Sequence, residues 1–109
     1  MANIYKVLGQ ECPSATTATT LYTVRSSTAT VVSTMTVANL GGSAATYRIS
    51  VRPAAATQTN AMYIAYDVTV DANDTTTLTL GLTLATTDVI TVYASSATVA
   101  FNAYGSEIA

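Results

Sequence analysis

Thr77-Leu-Thr-Leu-Gly-Leu-Thr-Leu84 alternates a large apolar residue with a small or polar one along its whole length. In an extended chain successive side chains point to opposite faces. The stretch therefore reads as a strand, with Leu78, Leu80, Leu82 and Leu84 toward a core and Thr77, Thr79, Gly81 and Thr83 away from it. Thr46 to Val51 repeats the pattern upstream. There Tyr47, Ile49 and Val51 share one face, while Thr46, Arg48, Ser50 and Arg52 share the other.

Working outward from these two, the period of two predicts further strands over Ile4 to Gln10, Leu21 to Val24, Ala29 to Leu40, Met62 to Val70, Val89 to Ala94 and Ala97 to Tyr104. In the Met62 strand, Ile64, Tyr66, Val68 and Val70 are expected to face inward. Turn residues separate the runs. Gly41-Gly42 marks a hairpin, Pro53 ends a strand because it cannot donate to the ladder, and Asp71-Ala-Asn-Asp74 has the short polar side chains of an Asx turn. Ala54 to Ala56 is too short for a helix. The sum is an all-β protein, an antiparallel β-sandwich or jelly roll of about eight strands with no significant helix. Its 109 residues make one domain, 1–109, in which 1–19 is either an N-terminal arm or a first strand plus loop.

Only 9% of the residues are charged, against about 25% in a typical soluble domain. Threonine fills the gap, and its β-branched side chain favours strands. A Thr/Ala/Ser surface is easily desolvated against another protein, so the composition favours life inside an assembly. The net charge of −2, with Lys6, Arg25, Arg48 and Arg52 forming no run, argues against nucleic acid as a partner. No uninterrupted apolar stretch approaches membrane-spanning length, and no secretory leader is expected at the N-terminus. Cys12 is the single cysteine, which excludes an intramolecular disulfide. It reads as a small loop residue beside Pro13, with no basic neighbour to activate it.

Catalytic chemistry is not in evidence. The chain has no histidine, and so lacks the commonest general base and metal ligand. No phosphate-binding, dinucleotide or zinc spacing occurs. The carboxylates are Glu11, Asp67, Asp71, Asp74, Asp88 and Glu107. The group Asp71-Ala-Asn-Asp74 is the nearest approach to a calcium site, and a plain turn accounts for it better. No enzyme activity, no metal and no cofactor are therefore expected. Seven tyrosines and Phe101 are spread over most of the strands, as core packing with wet hydroxyls or as part of an interface. Arg48 and Arg52 share a face, which makes that face the candidate contact between subunits. Tyr63 and Tyr66, three apart on one strand, are expected on opposite faces, so that at least one points outward.

Several stretches resemble small virion proteins of tailed bacteriophages, cyanophages among them. They are Thr20-Leu-Tyr-Thr-Val24, Asn39-Leu-Gly-Gly-Ser-Ala-Ala-Thr-Tyr-Arg-Ile-Ser-Val51, Tyr63-Ile-Ala-Tyr-Asp67, Ala72-Asn-Asp-Thr-Thr-Thr-Leu-Thr-Leu-Gly-Leu-Thr-Leu84, Asp88-Val-Ile-Thr-Val-Tyr-Ala-Ser95 and Phe101-Asn-Ala-Tyr-Gly-Ser-Glu-Ile108. Within that class the resemblance implies a capsid decoration (cement) protein. Its partner would be the major capsid protein, its oligomer a homotrimer and its place the capsid exterior after synthesis in the host cytoplasm. The competing expectations are a tail-associated or fibre module that binds a receptor or glycan, and a tail or head-completion subunit. The residues carried forward as a candidate interface are Arg48, Arg52, Tyr63 and Tyr66.

Overall fold

A computed structural model describes residues 3–109 and contains eight strands: β1 (Asn3–Glu11), β2 (Thr19–Thr23), β3 (Ala29–Asn39), β4 (Ala45–Arg52), β5 (Tyr63–Val70), β6 (Thr75–Leu84), β7 (Val89–Ala94) and β8 (Val99–Ile108). Every pairing is antiparallel. β1 pairs with β8, β2 with β7, β3 with β6 and β4 with β5, as in one long hairpin folded over on itself. Contacts of β3 with β8 and β4 with β7 close the roll into two four-stranded sheets, ordered β1-β8-β3-β6 and β2-β7-β4-β5. This nested pairing is the strand order of a jelly roll.

The core lies between the central strands. From the first sheet come Val32, Met35 and Val37 on β3 and Val99, Phe101 and Ala103 on β8, all with no exposed surface. From the second come Tyr47 and Ile49 on β4 and Ile90, Val92 and Ala94 on β7. Tyr47 and Phe101 meet edge to face across the sheets at 6.1 Å, the arrangement their ring quadrupoles prefer. At Gly105 the backbones of β8 and β3 approach so closely that a Cβ would overlap the Val31 carbonyl oxygen. Only glycine fits that position.

Of the two expectations for residues 1–19, an arm or a first strand plus loop, the described residues form a strand, β1, followed by a loop. β1 runs along β8 with Asn3 opposite Ile108 and Glu11 opposite Phe101, while Met1 and Ala2 of that segment lie outside the described residues. β4 follows the expected alternation at Tyr47 and Ile49, inward, and Arg48, outward, but Ser50, expected outward, is buried at 1% exposure with its hydroxyl bonded to Gln58.

β5 departs from the reading. Of its four residues expected inward, Val70 is buried, whereas Ile64, Tyr66 and Val68 are 43%, 55% and 40% exposed. Register explains part of this. Tyr47 pairs with Val68 but Ile49 pairs with Ala65, and Ser50 then pairs with Tyr63. β5 thus carries an extra residue at each of two bulges, and each bulge inverts the face parity. Val68 keeps the inward phase of Tyr47, but it lies on an edge strand that no other strand covers. In β6 a similar kink at Gly81, where φ is +62°, accompanies a register shift against β3. Leu84 is buried and Leu78 and Leu82 are partly buried, but Leu80 is swung out.

The β4–β5 connection contains a strained turn. Ala54 and Ala55 both have positive φ, 52° and 56°, and the Ala56 N–H donates to the Pro53 carbonyl at 2.9 Å. Two consecutive left-handed residues at the centre of a turn normally call for Asn or Gly. Alanine is held there from outside. Arg52 donates to the Ala56 and Ala55 carbonyls at 2.7 and 3.1 Å, and the Ala54 N–H donates to Asp88 Oδ1 at 2.9 Å. The left-handed conformation costs roughly 1–2 kcal/mol per non-glycine residue. The double substitution Ala54→Asn, Ala55→Gly should therefore stabilise the protein by about 1 kcal/mol, measured as a rise in the urea midpoint at unchanged m-value. A lower midpoint would mean that the turn is unstrained.

Candidate binding surfaces

The outer face of the second sheet collects aromatic rings around one guanidinium. β4 places Arg48 opposite Tyr93 of β7. On its other side, the β5 bulge turns Tyr66 outward. The Arg48 Cζ lies 4.3 Å from the ring centroids of both Tyr66 and Tyr93, so the guanidinium is sandwiched between them. Its Nε and Nη2 donate to the two carboxylate oxygens of Asp67 at 2.6 and 3.3 Å. This carboxylate hydrogen bond raises the Arg48 pKa and keeps the charge in place. Asp67 is itself strained, with φ of 51° inside a strand. Among non-glycine residues Asp is one that tolerates this region. A strained residue held by a bidentate partner is the kind of outlier that accompanies recognition sites.

Tyr63 completes the cluster. Its ring packs edge to face on Tyr66 with centroids 4.9 Å apart. The two tyrosines therefore share a face, contrary to the expectation that they oppose one another, because the bulge between them adds one residue to the alternation. Together with the exposed Asn60 they line an open depression of about 480 Å³. A smaller cleft of about 110 Å³ lies beside it, bounded by Arg48, Arg52, Gln58, Tyr63 and Tyr93. Its floor is closed by Ser50, which donates to Gln58 Oε1 at 2.6 Å.

All four candidate interface residues, Arg48, Arg52, Tyr63 and Tyr66, thus fall on one surface. Neither arginine is idle. Arg48 is matched by Asp67, and Arg52 holds the Ala54–Ala55 turn. The reading of the sequence missed Tyr93, Asp67 and Asn60 as members of this surface. The one local signal was an aspartate inside a strand, where that residue type is disfavoured.

A second surface follows the edge where β5 and β6 end their respective sheets. An apolar trough of about 480 Å³ runs between them, with Val51, Met62, Ile64, Leu82 and Leu84 among its walls and no charged side chain in its lining. Val68 and Leu80 are exposed on the same two strands. β6 has no charged residue from end to end, so it lacks the lysines and prolines that usually guard an edge.

The remaining candidates resolve into structural roles. Asp71–Asp74 is a turn: the Asp74 N–H donates to the Asp71 carbonyl at 3.2 Å, and Asp74 Oδ1 accepts from the Thr75 N–H at 2.8 Å. Among the described residues, no group of three or more His, Cys, Asp or Glu side chains is placed to hold a metal ion. Cys12 is exposed, and its thiol lies 3.4 Å from the Ala97 carbonyl. Among the described residues, no helix is long and apolar enough to cross a membrane.

One buried polar cluster was not foreseen. Glu107 is 2% exposed. It accepts from Tyr22 Oη at 2.6 Å and Arg25 Nη2 at 2.9 Å, with Lys6 Nζ at 3.6 Å. Tyr22 Oη also shares a 2.7 Å hydrogen bond with Thr30 Oγ1. The Tyr22 hydroxyl and the two cations hold the Glu107 pKa below its usual value against the opposing effect of burial. Burial, followed by the Glu107 hydrogen bond, pushes the Tyr22 pKa up to about 12. β1, β2, β3 and β8 are tied together at this point.

Comparison with known protein families, curated proteins and solved structures finds no match to this chain.

Proposed function

We propose that this chain is a non-enzymatic structural protein of a virion, a capsid decoration protein that lies over junctions of the major capsid protein and stabilises the shell. The observation that carries this reading is the uncharged apolar trough at the β5/β6 edge. Water there is displaced at little desolvation cost, and two edge strands offer unpaired backbone groups to a partner. The low overall charge and the resemblance of the ordered segments to small phage virion proteins point the same way. The jelly roll is also a fold that capsid proteins use, although a fold by itself does not assign a function.

On this reading the mechanism is burial. Each copy excludes water from a stable-interface area, on the order of 1,000 Å² or more. Copies linked in a closed oligomer, with a trimer expected, add avidity without any single strong contact. The Arg48 face is less suited to the shell, because Arg48 is matched by Asp67 and Arg52 is engaged in holding its own turn.

The test is co-sedimentation of the purified chain with empty procapsid-derived phage shells, after its solution mass has been measured by light scattering. An oligomer that sediments with shells, and loses this on Ile64→Lys and Val68→Lys, is the expected result. Both sites are already over a third exposed, so the variants should fold. A monomer that ignores shells, or variants that bind as the parent does, would remove the proposal.

A further inference from the structure

We infer that the Tyr63/Tyr66/Asn60 surface is a recognition site for a neutral saccharide, separate from the trough that the shell-binding reading uses. Four observations select the ligand class. First, the site presents aromatic rings held in place before any ligand arrives. Tyr66 is packed on one side by Arg48 at 4.3 Å and on another by Tyr63 at 4.9 Å, yet 55% of it stays exposed. A ring fixed in this way loses little freedom on binding. The weakly positive C–H groups of a pyranose pack favourably on the negative face of such a ring.

Second, the cation against the rings is matched. Arg48 is neutralised by Asp67 at 2.6 Å, while Arg52 keeps its charge but lies in the neighbouring cleft, with Nε and Nη2 held by the carbonyls of its own turn. An anionic ligand would have to compete with these partners, whereas a neutral one leaves them intact. Third, the exposed Asn60 carboxamide borders the rings and supplies both a donor and an acceptor, the pair that adjacent sugar hydroxyls require. Fourth, the rings stand on the outer face of the sheet, where Arg48 and Tyr93 sit on β4 and β7, whose backbone groups are already used in ladders. A peptide can pair only along the free edge of β5, beside the rings, so the ring faces themselves offer it no strand pairing. The depression of about 480 Å³ is open to solvent, which suits one residue of a longer saccharide better than an enclosed small molecule.

The strained Asp67 gives the site its logic. Without the bulge at this residue, Tyr66 would point toward the other sheet. The Asp67 conformation and its bidentate grip on Arg48 together aim the platform outward.

The test uses the isolated full chain, so its outcome does not depend on shell binding. Tyrosine fluorescence reads the site, since the chain contains no tryptophan. The probes are cellohexaose, chitohexaose, maltohexaose and, as an acidic control, a hexagalacturonate; a decaproline peptide tests the competing class. The expected result is saturable quenching by at least one neutral hexasaccharide, unchanged in 0.5 M NaCl. Tyr66→Ala should weaken it roughly tenfold, while Tyr66→Phe keeps most of it. If Tyr66→Ala fails to fold, Asn60→Ala in the exposed loop should weaken binding severalfold at unchanged melting temperature. No response to any neutral probe up to 10 mM, a preference for the acidic sugar or for decaproline, or binding indifferent to both Tyr66→Ala and Asn60→Ala would overturn the inference.

Discussion

Replacing Glu107 with alanine is expected to lower the unfolding free energy by about 3 kcal/mol, a drop in melting temperature of roughly 12 °C for a domain of this size. The loss comes from the groups that the carboxylate leaves behind. It accepts charge-assisted hydrogen bonds from Tyr22 and Arg25 while itself almost wholly buried, and such bonds are worth about 1.5–3 kcal/mol each. The cost stays below the upper range for a broken buried ion pair. Arg25 and Lys6 are 61% and 44% exposed and rehydrate once the carboxylate is gone, and Tyr22 keeps Thr30 as a partner.

The same cluster makes stability depend on pH at both ends. The folded pKa of Glu107 is depressed, so its contribution is complete above the unfolded value of 4.5 and is lost as pH falls through the folded value. The folded pKa of Tyr22 is raised, so its contribution is complete below 10 and disappears as pH climbs toward about 12. Urea midpoints measured from pH 2 to 7 should fall on the acid side in the parent protein and fall less in Glu107→Gln. Parallel acid limbs in the two proteins would show that Glu107 does not titrate in this way.

Phe101→Ala should be the most damaging single truncation, at about 3–5 kcal/mol. Phe101 has no exposed surface, sits on the central strand β8 and holds its edge-to-face contact with Tyr47 from the opposite sheet. Strands on both sides of it are fixed by ladders, so the space cannot easily collapse. Many domains have only 5–15 kcal/mol in total. Chemical denaturation should show a large fall in midpoint with m unchanged; a loss under 1 kcal/mol would mean that the two sheets are loosely packed.

The strand pattern was legible because apolar and polar residues alternate clearly through Thr46–Val51 and because Gly41-Gly42 and Pro53 bound β4. The order of the strands was not. β1 meets β8, and no local feature of Asn3 announces Ile108 as its neighbour. The bulges at Asp67 and Gly81 were equally hidden, and they account for the misplacement of Tyr66 and Leu80. The candidate surface was half visible: Arg48, Arg52, Tyr63 and Tyr66 were named, but Tyr93 joins them only through the β4–β7 ladder. Glu107 escaped notice because the expected last strand stopped at Tyr104, and because Tyr22 is 85 residues away along the chain.

The pairing of β1 with β8 also governs when this protein can fold. While it is being synthesised, β1 waits for a strand that leaves the ribosome after all the others, and β2 waits almost as long for β7. Only the innermost pair, β4 with β5, closes over a short loop. Topologies dominated by such distant contacts fold in milliseconds to seconds, and their loops must close before the contacts repay the entropy lost. β1 and β2 are therefore without partners for the whole of that interval, and β3 and β4 each lack one neighbour until β8 and β7 arrive. The nascent chain is most exposed to aggregation just before its last strand arrives.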